Sequence, residues 1–578
     1  MLERARDAAR DVVSQIEEAR RRRTAPVILE LDLTEPLVEA TPQDPVNAFM
    51  ARRRTTLRAV LDGLRRAADD PRVLAFVVKV GGSRSSIGVA QAQELRNVVV
   101  EFRRSGKPAV AWAETFGEFG RGTIPYYLAT GFDQIWLQPS GDVCLTGVAA
   151  EVPFVKGVLD KAGITPQFAQ RHEYKNAANF FTEVGFTDAH REATERLVTS
   201  TMEQLVAGIA AGRRLDVDEV LDLVDRAPLF SSEAVEAGLV DRLGYRDEVY
   251  DEVRAQVGDD PVLLFIGRYG PSKLEELKRR VTGPTQEDIV ALVHVHGPIH
   301  LGRSGRQPLA GGSAGSDSVA AALRAAVKAD EVKAVVVRVA SPGGSYVASD
   351  AIWREVAMVR AAGKPVVASM GDVAASGGYF VAMGADRIVA EPGTVTGSIG
   401  VLSGKQVVDS LADRVGLHHD HVAEGDHALM FSPLHPFTDS EWDRLNAWLD
   451  RIYADFTGKV AAGRRLPVAR VDEIARGRVW TGADARDRGL VDELGGLDHA
   501  VAVARDRAGL EPTDRPRVRT YPHVPVVARL RPAQSSDDPA AASTRLGVEG
   551  WGGFAGLAAR LGLPAYGPLM LPGDWRVR

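Results

Sequence analysis

The feature that most constrains this chain is that it repeats itself. Gly106-Lys107-Pro108 returns as Gly363-Lys364-Pro365, an offset of 257 residues, and Tyr127-Leu128-Ala129-Thr130-Gly131 returns as Phe380-Val381-Ala382-Met383-Gly384 at 253. Ala211-Gly212-Arg213-Arg214-Leu215 matches Ala462-Gly463-Arg464-Arg465-Leu466, and Gly238-Leu239-Val240-Asp241 matches Gly489-Leu490-Val491-Asp492, both at 251. Matches that keep their order while the offset drifts slowly mark an internal duplication. The chain must therefore fold as two versions of one unit, which suits 578 residues at roughly 100–200 per domain. The halves are expected at 25–258 and 259–510. A charged helical segment precedes them at 1–24, and 511–578 follows as a Pro/Ala/Ser-rich linker and a Gly-rich apolar tail of obscure role.

Each half alternates β-branched runs with helical patterns. Val27-Ile28-Leu29-Glu30-Leu31, Ala75-Phe76-Val77-Val78 and Pro108-Ala109-Val110-Ala111-Trp112 are separated by helices near 51–68 and 89–104. The order returns as Ile289 to Val295, Ala334 to Val339 and Pro365-Val366-Val367-Ala368, with helices near 318–328 and 348–360. Such alternation predicts an α/β fold with mostly parallel sheets covered by helices.

Composition narrows the function. A net charge of −6 gives no general attraction for nucleic acid or anionic lipid. One cysteine, Cys144, excludes an internal disulfide and any Cys-based zinc site, and fits a reducing compartment. The charged N-terminus, ending in Arg20-Arg21-Arg22-Arg23, reads as neither signal peptide nor membrane anchor. Charge interrupts the apolar runs well before the ~18 residues of a spanning helix. A cytoplasmic protein is expected, with at most peripheral membrane contact through Trp551, Phe554, Leu557, Leu561 and Leu563 of the tail, whose irregular spacing argues against an amphipathic helix.

The halves differ where chemistry would require it. Ser341-Pro342-Gly343-Gly344-Ser345 joins a strand to a helix, and paired glycines let backbone N–H groups approach a ligand oxygen closely. The next strand, expected to end near Met370, feeds Ala374-Ala375-Ser376-Gly377-Gly378-Tyr379, a serine in a small-residue turn with the Gly377 N–H beside it. The first half has Gly82-Ser83-Arg84-Ser85 and Thr123-Ile124-Pro125 at these places. Were the glycines and serine only turn chemistry, both halves would need them. A serine nucleophile requires a base. None of the 12 histidines is near Ser376 in sequence, and the segment is not a Gly-x-Ser-x-Gly elbow. A lysine can serve if burial lowers its pKa from about 10.4 toward neutrality.

Ser341-Pro342-Gly343-Gly344, Ala375-Ser376-Gly377-Gly378-Tyr379, Thr396-Gly397-Ser398-Ile399-Gly400-Val401 and Arg476-Gly477-Arg478-Val479-Trp480-Thr481-Gly482 together resemble the signal peptide peptidase A family of serine proteases (family S49) in its long, duplicated form. The resemblance spans about 25–510. It implies two tandem crotonase/ClpP-like β/α repeats and a serine endopeptidase for signal-peptide remnants and other short apolar peptides. It also implies a homotetramer, no cofactor and no metal. The nucleophile would be Ser376, from the second half. The base would be Lys175, from the first, because His172-Glu173-Tyr174-Lys175-Asn176-Ala177 is similar to the family's Tyr-Lys-Ser-Ala segment, although Asn176 stands where serine is commoner. The duplication agrees, since Lys175 falls opposite Asp426 and each half keeps one member of the pair. Ser398, opposite Val148, is similar to the serine that orients the lysine. The oxyanion donors would be Gly377 and one of Gly343 and Gly344; Gly344 is the choice made here.

Three other readings compete. His418, His419, His421, His427 and His435, with Asp420, Glu424 and Asp426, have the chemistry of a metal site but lack a spacing that orders ligands on one helix face. A polar loop is the simpler account. Crotonase-type acyl-CoA hydratases and isomerases share the architecture and an oxyanion hole, yet need no Ser376/Lys175 complementarity. An inactive scaffold would bind peptides without turnover.

Overall fold

The computed structural model describes residues 25–40, 54–81, 87–118, 120–258, 260–270, 288–307, 311–513, 516–522 and 568–570. The segment 1–24, the Gly82-Ser83-Arg84-Ser85 turn and the apolar tail residues from Trp551 to Leu563 lie outside the described residues. The chain divides into two compact units. One comprises Met1–Thr41, Arg52–Val148 and Met202–Thr285; the other comprises Pro42–Ala51, Ala149–Thr201 and Gln286–Arg578. Residues 149–201, which come from the first repeat, are thus built into the unit of the second.

The first unit holds a six-stranded parallel sheet. Its order is Arg242–Leu243, Gln134–Leu137, Ala109–Ala113, Val73–Lys79, Val27–Asp32 and Val262–Phe265. These strands read as near-continuous apolar runs because helices cover a parallel sheet on both faces. Ile28, Val77, Val110 and Trp136 pack against Val249, Tyr250 and Val253 of helix Arg246–Val257.

The second unit repeats that order. Glu493–Leu494, Arg387–Ala390, Val366–Ala375, Val332–Ser341, Ile289–His296 and Val518–Thr520 run parallel in the same sequence of neighbours. The helices Val89–Arg103, Ser316–Lys328 and Tyr346–Ala361 stand where the periodicity puts them, whereas the first, expected near 51–68, is Leu57–Asp69, capped by the Thr56 side chain, which accepts from the Ala59 N–H.

One expectation fails informatively. The strand expected to end near Met370 runs on to Ala375. Beyond Ser369 it leaves Arg387–Ala390 and takes a new parallel partner, Val373, Ala374 and Ala375 facing Val395, Thr396 and Gly397. Gly371-Asp372 reads as a turn, but a new partner for the exposed edge keeps the backbone extended. In the first unit the equivalent strand stops at Ala113, only an isolated parallel bridge between Phe116 and Val143 remains beyond it, and the pair Asp142–Val143 with Leu229–Phe230 forms a separate two-stranded sheet. The extension carries Ser376 beyond the end of the shared sheet.

The duplication is also written in buried polar contacts. Arg213 Nε donates to Gly238 O at 2.8 Å and its guanidinium pairs with Asp241, whose carboxylate accepts from the Ile135 N–H at 2.7 Å. Arg464, Gly489, Asp492 and Ile388 repeat this in the second unit, at 2.9 Å to Gly489 O and 2.7 Å from Ile388 N–H. Tyr126 and Tyr379 donate to Leu239 O and Leu490 O. Burial would raise the Asp492 carboxyl, but the Arg464 hydrogen bond and charge hold it below the ordinary range. Its stabilising contribution is therefore present above about pH 3.9 and is lost as pH falls through the depressed value. Arg464→Met is expected to cost about 2–4 kcal/mol at pH 7 in urea unfolding, since it leaves a largely buried carboxylate with only the longer Arg387 contact at 3.5 Å as its ion pair. Arg213→Met should cost less, because Asp241 is 33% exposed against 17% for Asp492. Equal losses would contradict burial as the cause.

Candidate active site

Ser376 stands where strand Val366–Ala375 meets helix Gly377–Ala382, at φ 55° and ψ −115°. A non-glycine residue adopts this conformation only when its surroundings impose it. Here the Ser376 N–H donates to Gly397 O at 2.9 Å, and its carbonyl accepts from the Phe380 N–H as the helix begins. The residue is fully buried. A Cβ on Gly377 would stand 2.7 Å from Ser349 Oγ and 3.1 Å from the Gly344 nitrogen, so a side chain there would require Ser349 and the Gly344 backbone to shift. The Gly343 N–H is taken by Ser341 Oγ at 3.1 Å.

Lys175 reaches the same place through a strand pairing. Thr165–Gln170 runs antiparallel to Leu402–Val407 from Thr165 opposite Val407 to Gln170 opposite Leu402, and the Arg171 N–H continues the contact to Val401 O at 2.9 Å. The chain turns at His172, φ 63°, and Lys175 leads into the short 3-10 turn Asn176–Ala178. Lys175 Nζ lies 2.9 Å from Ser376 Oγ, 2.9 Å from Ser398 Oγ and 3.1 Å from Ser398 O. Ser398 is itself at φ 51°, its N–H donating to Arg478 O at 2.7 Å. Lys175 is 1% exposed. Burial lowers its amine to about 7. A neutral amine suits the three oxygens: its two N–H bonds donate to Ser398 Oγ and O, and its lone pair faces the Ser376 hydroxyl.

The structure brings together Ser376, Lys175, Ser398, Gly344 and Gly377. Two further residues build the site without having been singled out. A Cβ on Gly477, φ 85°, would stand 2.4 Å from Lys175 N, and one on Gly400 would stand 3.1 Å from Lys175 Cδ. Both glycines lie in the quoted motifs, but their steric role depends on a backbone approach that spacing does not reveal. Outside them, Arg476 pairs with Glu173 at 2.9 Å and bridges the lysine loop to the Gly477 turn. Asn176 is buried, and its Nδ2 has no hydrogen-bond partner among the described residues.

The histidine-rich segment lies mostly exposed. His419 and His421 contact the His435 ring at 5.3 and 4.8 Å, and His427 Nε2 bonds Ser440 Oγ at 2.9 Å. Among the described residues no group of three or more potential metal ligands comes together, and no helix is long and apolar enough to cross a membrane.

Comparison with known proteins gives consistent matches. The model of "Peptidase family S49" matches residues 101–259 and 358–511, one stretch in each repeat. "Serine protease SPPA, chloroplastic" of Arabidopsis thaliana is 30% identical over 448 residues, covering 77% of this chain and 64% of that protein. "Protease 4" of Salmonella typhi is 32% identical over 479 residues, covering 79% of this chain and 73% of the relative. "Protease 4" of Haemophilus influenzae is 30% identical over 464 residues, covering 78% and 73%. Among solved structures, a mutant of ClpP1 from Listeria monocytogenes aligns with 36% of this chain and 94% of its own at 14% identity and a TM-score of 0.23.

The depressed amine has a thermodynamic signature. An unfolded lysine keeps its proton to about pH 10.4, whereas folded Lys175 releases it near 7. Between these values the unfolded chain binds more protons, so stability rises with pH across this window. Denaturant unfolding at several pH values from 6.5 to 9 should show this rise in the wild type and a flatter profile in Lys175→Met. Identical profiles would mean that the amine is not discharged by burial.

Proposed function

The chain belongs to peptidase family S49, among the serine-type peptidases, and from that premise we propose that it is an endopeptidase working through a Ser376/Lys175 dyad. The observation that carries the reading is a buried lysine amine 2.9 Å from the hydroxyl of a strained serine. Neutral Lys175 accepts the Ser376 proton as the oxygen attacks a peptide carbonyl. The N–H groups of Gly344 and Gly377 receive the developing oxyanion; the commitment of the Gly343 N–H to Ser341 Oγ favours Gly344 as the first donor. Lys175 then returns the proton to the leaving amine, and a water deprotonated by the same amine hydrolyses the acyl-enzyme. Ser398 is a positioning residue, because it fixes the lone pair of Lys175 rather than touching substrate.

The substrates proposed are remnants of signal peptides and other short apolar peptides. A cytoplasmic homotetramer, touching the membrane peripherally at most, completes the reading.

Fluorophosphonate labelling and hydrolysis of an apolar chromogenic peptide test the dyad. Ser376→Ala should abolish labelling. Lys175→Ala should lower kcat/KM by about 10²–10⁴-fold, the usual contribution of a general base. In the wild type kcat/KM should rise with pH through about 7, where Lys175 loses its proton. Wild-type hydrolysis by Ser376→Ala would overturn the proposal. Gly477→Ala tests positioning separately. Its methyl would meet the Lys175 backbone, and a lysine displaced by about 1 Å should cost on the order of 10²-fold in kcat. Its circular dichroism should be unchanged.

A further inference from the structure

The strand that carries Ser376 leaves the shared sheet through a break, and three buried side chains are bonded to its backbone there. In the pairing of Val332–Ser341 with Val366–Ala375, Val339 faces Met370 but Ser341 faces Ala374, so that Gly371, Asp372 and Val373 stand against Ala340 alone. Arg338 Nη1 donates to Met370 O at 3.2 Å and to Ser369 Oγ at 3.0 Å. Thr394 Oγ1 donates to Gly371 O at 2.9 Å, and Thr396 Oγ1 to Ala374 O at 2.7 Å. Arg338 is 1% exposed and both threonines are 0% exposed. Only Ala375 separates the last of these bonded residues from Ser376.

The first repeat has other residues at all three positions, and there the strand stops. Lys79 is set opposite Trp112 as Arg338 is set opposite Ser369, at offsets of 259 and 257 residues, the second being that of the Gly-Lys-Pro match. Lys79 Nζ bonds instead to Glu114 at 2.9 Å. The bridge between Phe116 and Val143 stands where Val373 pairs with Val395, which puts Asp142 and Cys144 in the places of Thr394 and Thr396. An ionised carboxylate only accepts hydrogen bonds, and a thiol donates weakly. The Arg–Asp pairs and buried tyrosines that stabilise the fold are kept in both repeats, whereas these three donors belong to the repeat that carries the serine.

A carbonyl bonded to a buried donor cannot rotate without leaving both groups unpaired away from water. We propose that Arg338, Thr394 and Thr396 are positioning residues of the peptidase: their bonds to the Met370, Gly371 and Ala374 carbonyls fix the peptide planes that lead into Ser376 and keep its backbone at φ 55° from relaxing. The inference rests on the peptidase reading and adds to it how the nucleophile is held. The three residues act through the strand rather than on the reacting atoms. Ser376 Oγ must stay within 2.9 Å of Lys175 Nζ, and a displacement of about 1 Å costs on the order of 10²-fold in rate.

The test compares the full chain with its Thr394→Val/Thr396→Val and Thr394→Ser/Thr396→Ser forms, and with Arg338→Met and Arg338→Lys. Valine removes the hydroxyl at nearly constant shape, and serine restores it. Fluorophosphonate labelling rate, kcat and KM on the apolar chromogenic peptide, and Tm are measured for each. The valine pair should label and turn over at least about tenfold more slowly at unchanged KM, and the serine pair should recover the rate to within about twofold. Arg338→Met should lose kcat in the same way and Arg338→Lys should recover most of it; where Arg338→Met does not fold, the threonine pairs decide. Wild-type kcat in the valine pair would overturn the proposal. So would a fall in Tm with kcat per folded molecule unchanged, which would make the donors structural only, and so would an equal loss in the serine pair. A raised KM at constant kcat would overturn it too, because it would put these residues in peptide binding. Folded wild-type protein that neither labels nor hydrolyses would defeat the peptidase reading itself, and this inference with it.

Discussion

The structure around the site depends on one buried amine. Lys175 Nζ has three oxygens around it, none of them a carboxylate. An ammonium held there without a counter-charge would cost several kcal/mol, so the group discharges instead. Burial thus favours the neutral amine that the proposed base requires, and every feature that keeps water and acids away from the amine contributes to it. The strand pair Thr165–Gln170 with Leu402–Val407 supplies the lysine, and the Gly400 and Gly477 backbones close over its stem. Ser376 and Ser398 both sit at positive φ, so both residues whose hydroxyls face the amine carry backbone strain.

Duplication lets that strain be confined to one unit. Both units keep the parallel strand order, the Arg–Asp pairs and the buried tyrosines, which stabilise the fold and have no part in the chemistry. They part at the end of one strand. Ala109–Ala113 stops, whereas Val366–Ala375 continues onto a second partner and presents Ser376. The other element of the site, residues 165–178, descends from the first repeat but belongs to the second compact unit. Each copy was free to lose what the other retained, as Asp426 opposite Lys175 illustrates.

How much of this could be read beforehand follows from the kind of interaction involved. The repeat and the β/α alternation were legible because offsets and apolar periodicity are properties of the chain itself. Helix ends such as Tyr346, capped by Ser345 Oγ, were legible within two residues for the same reason. Ser376 could be found because its glycine neighbours lack counterparts in the first half. Lys175 could not be told from a surface lysine without the family resemblance, since its burial is created by residues more than two hundred positions away. The strand expected to end near Met370 runs on to Ala375, because the local preference of small residues for a turn is overridden by a partner that only the tertiary fold supplies. The steric role of Gly477 was invisible for a related reason: it acts through the backbone approach of a distant segment.

A base made by burial ties reactivity to occupancy of the site. In a histidine dyad the proton affinity lies near neutrality whether or not substrate is present. Lys175 reaches that range only while water is excluded. The Ser376 and Lys175 burial seen here belongs to a site whose Gly343–Gly344 edge is already covered by Leu569–Met570. For the base proposed here, an apolar peptide lying on the site would keep water from the amine and hold it neutral, so that substrate binding and the protonation state of Lys175 would be coupled.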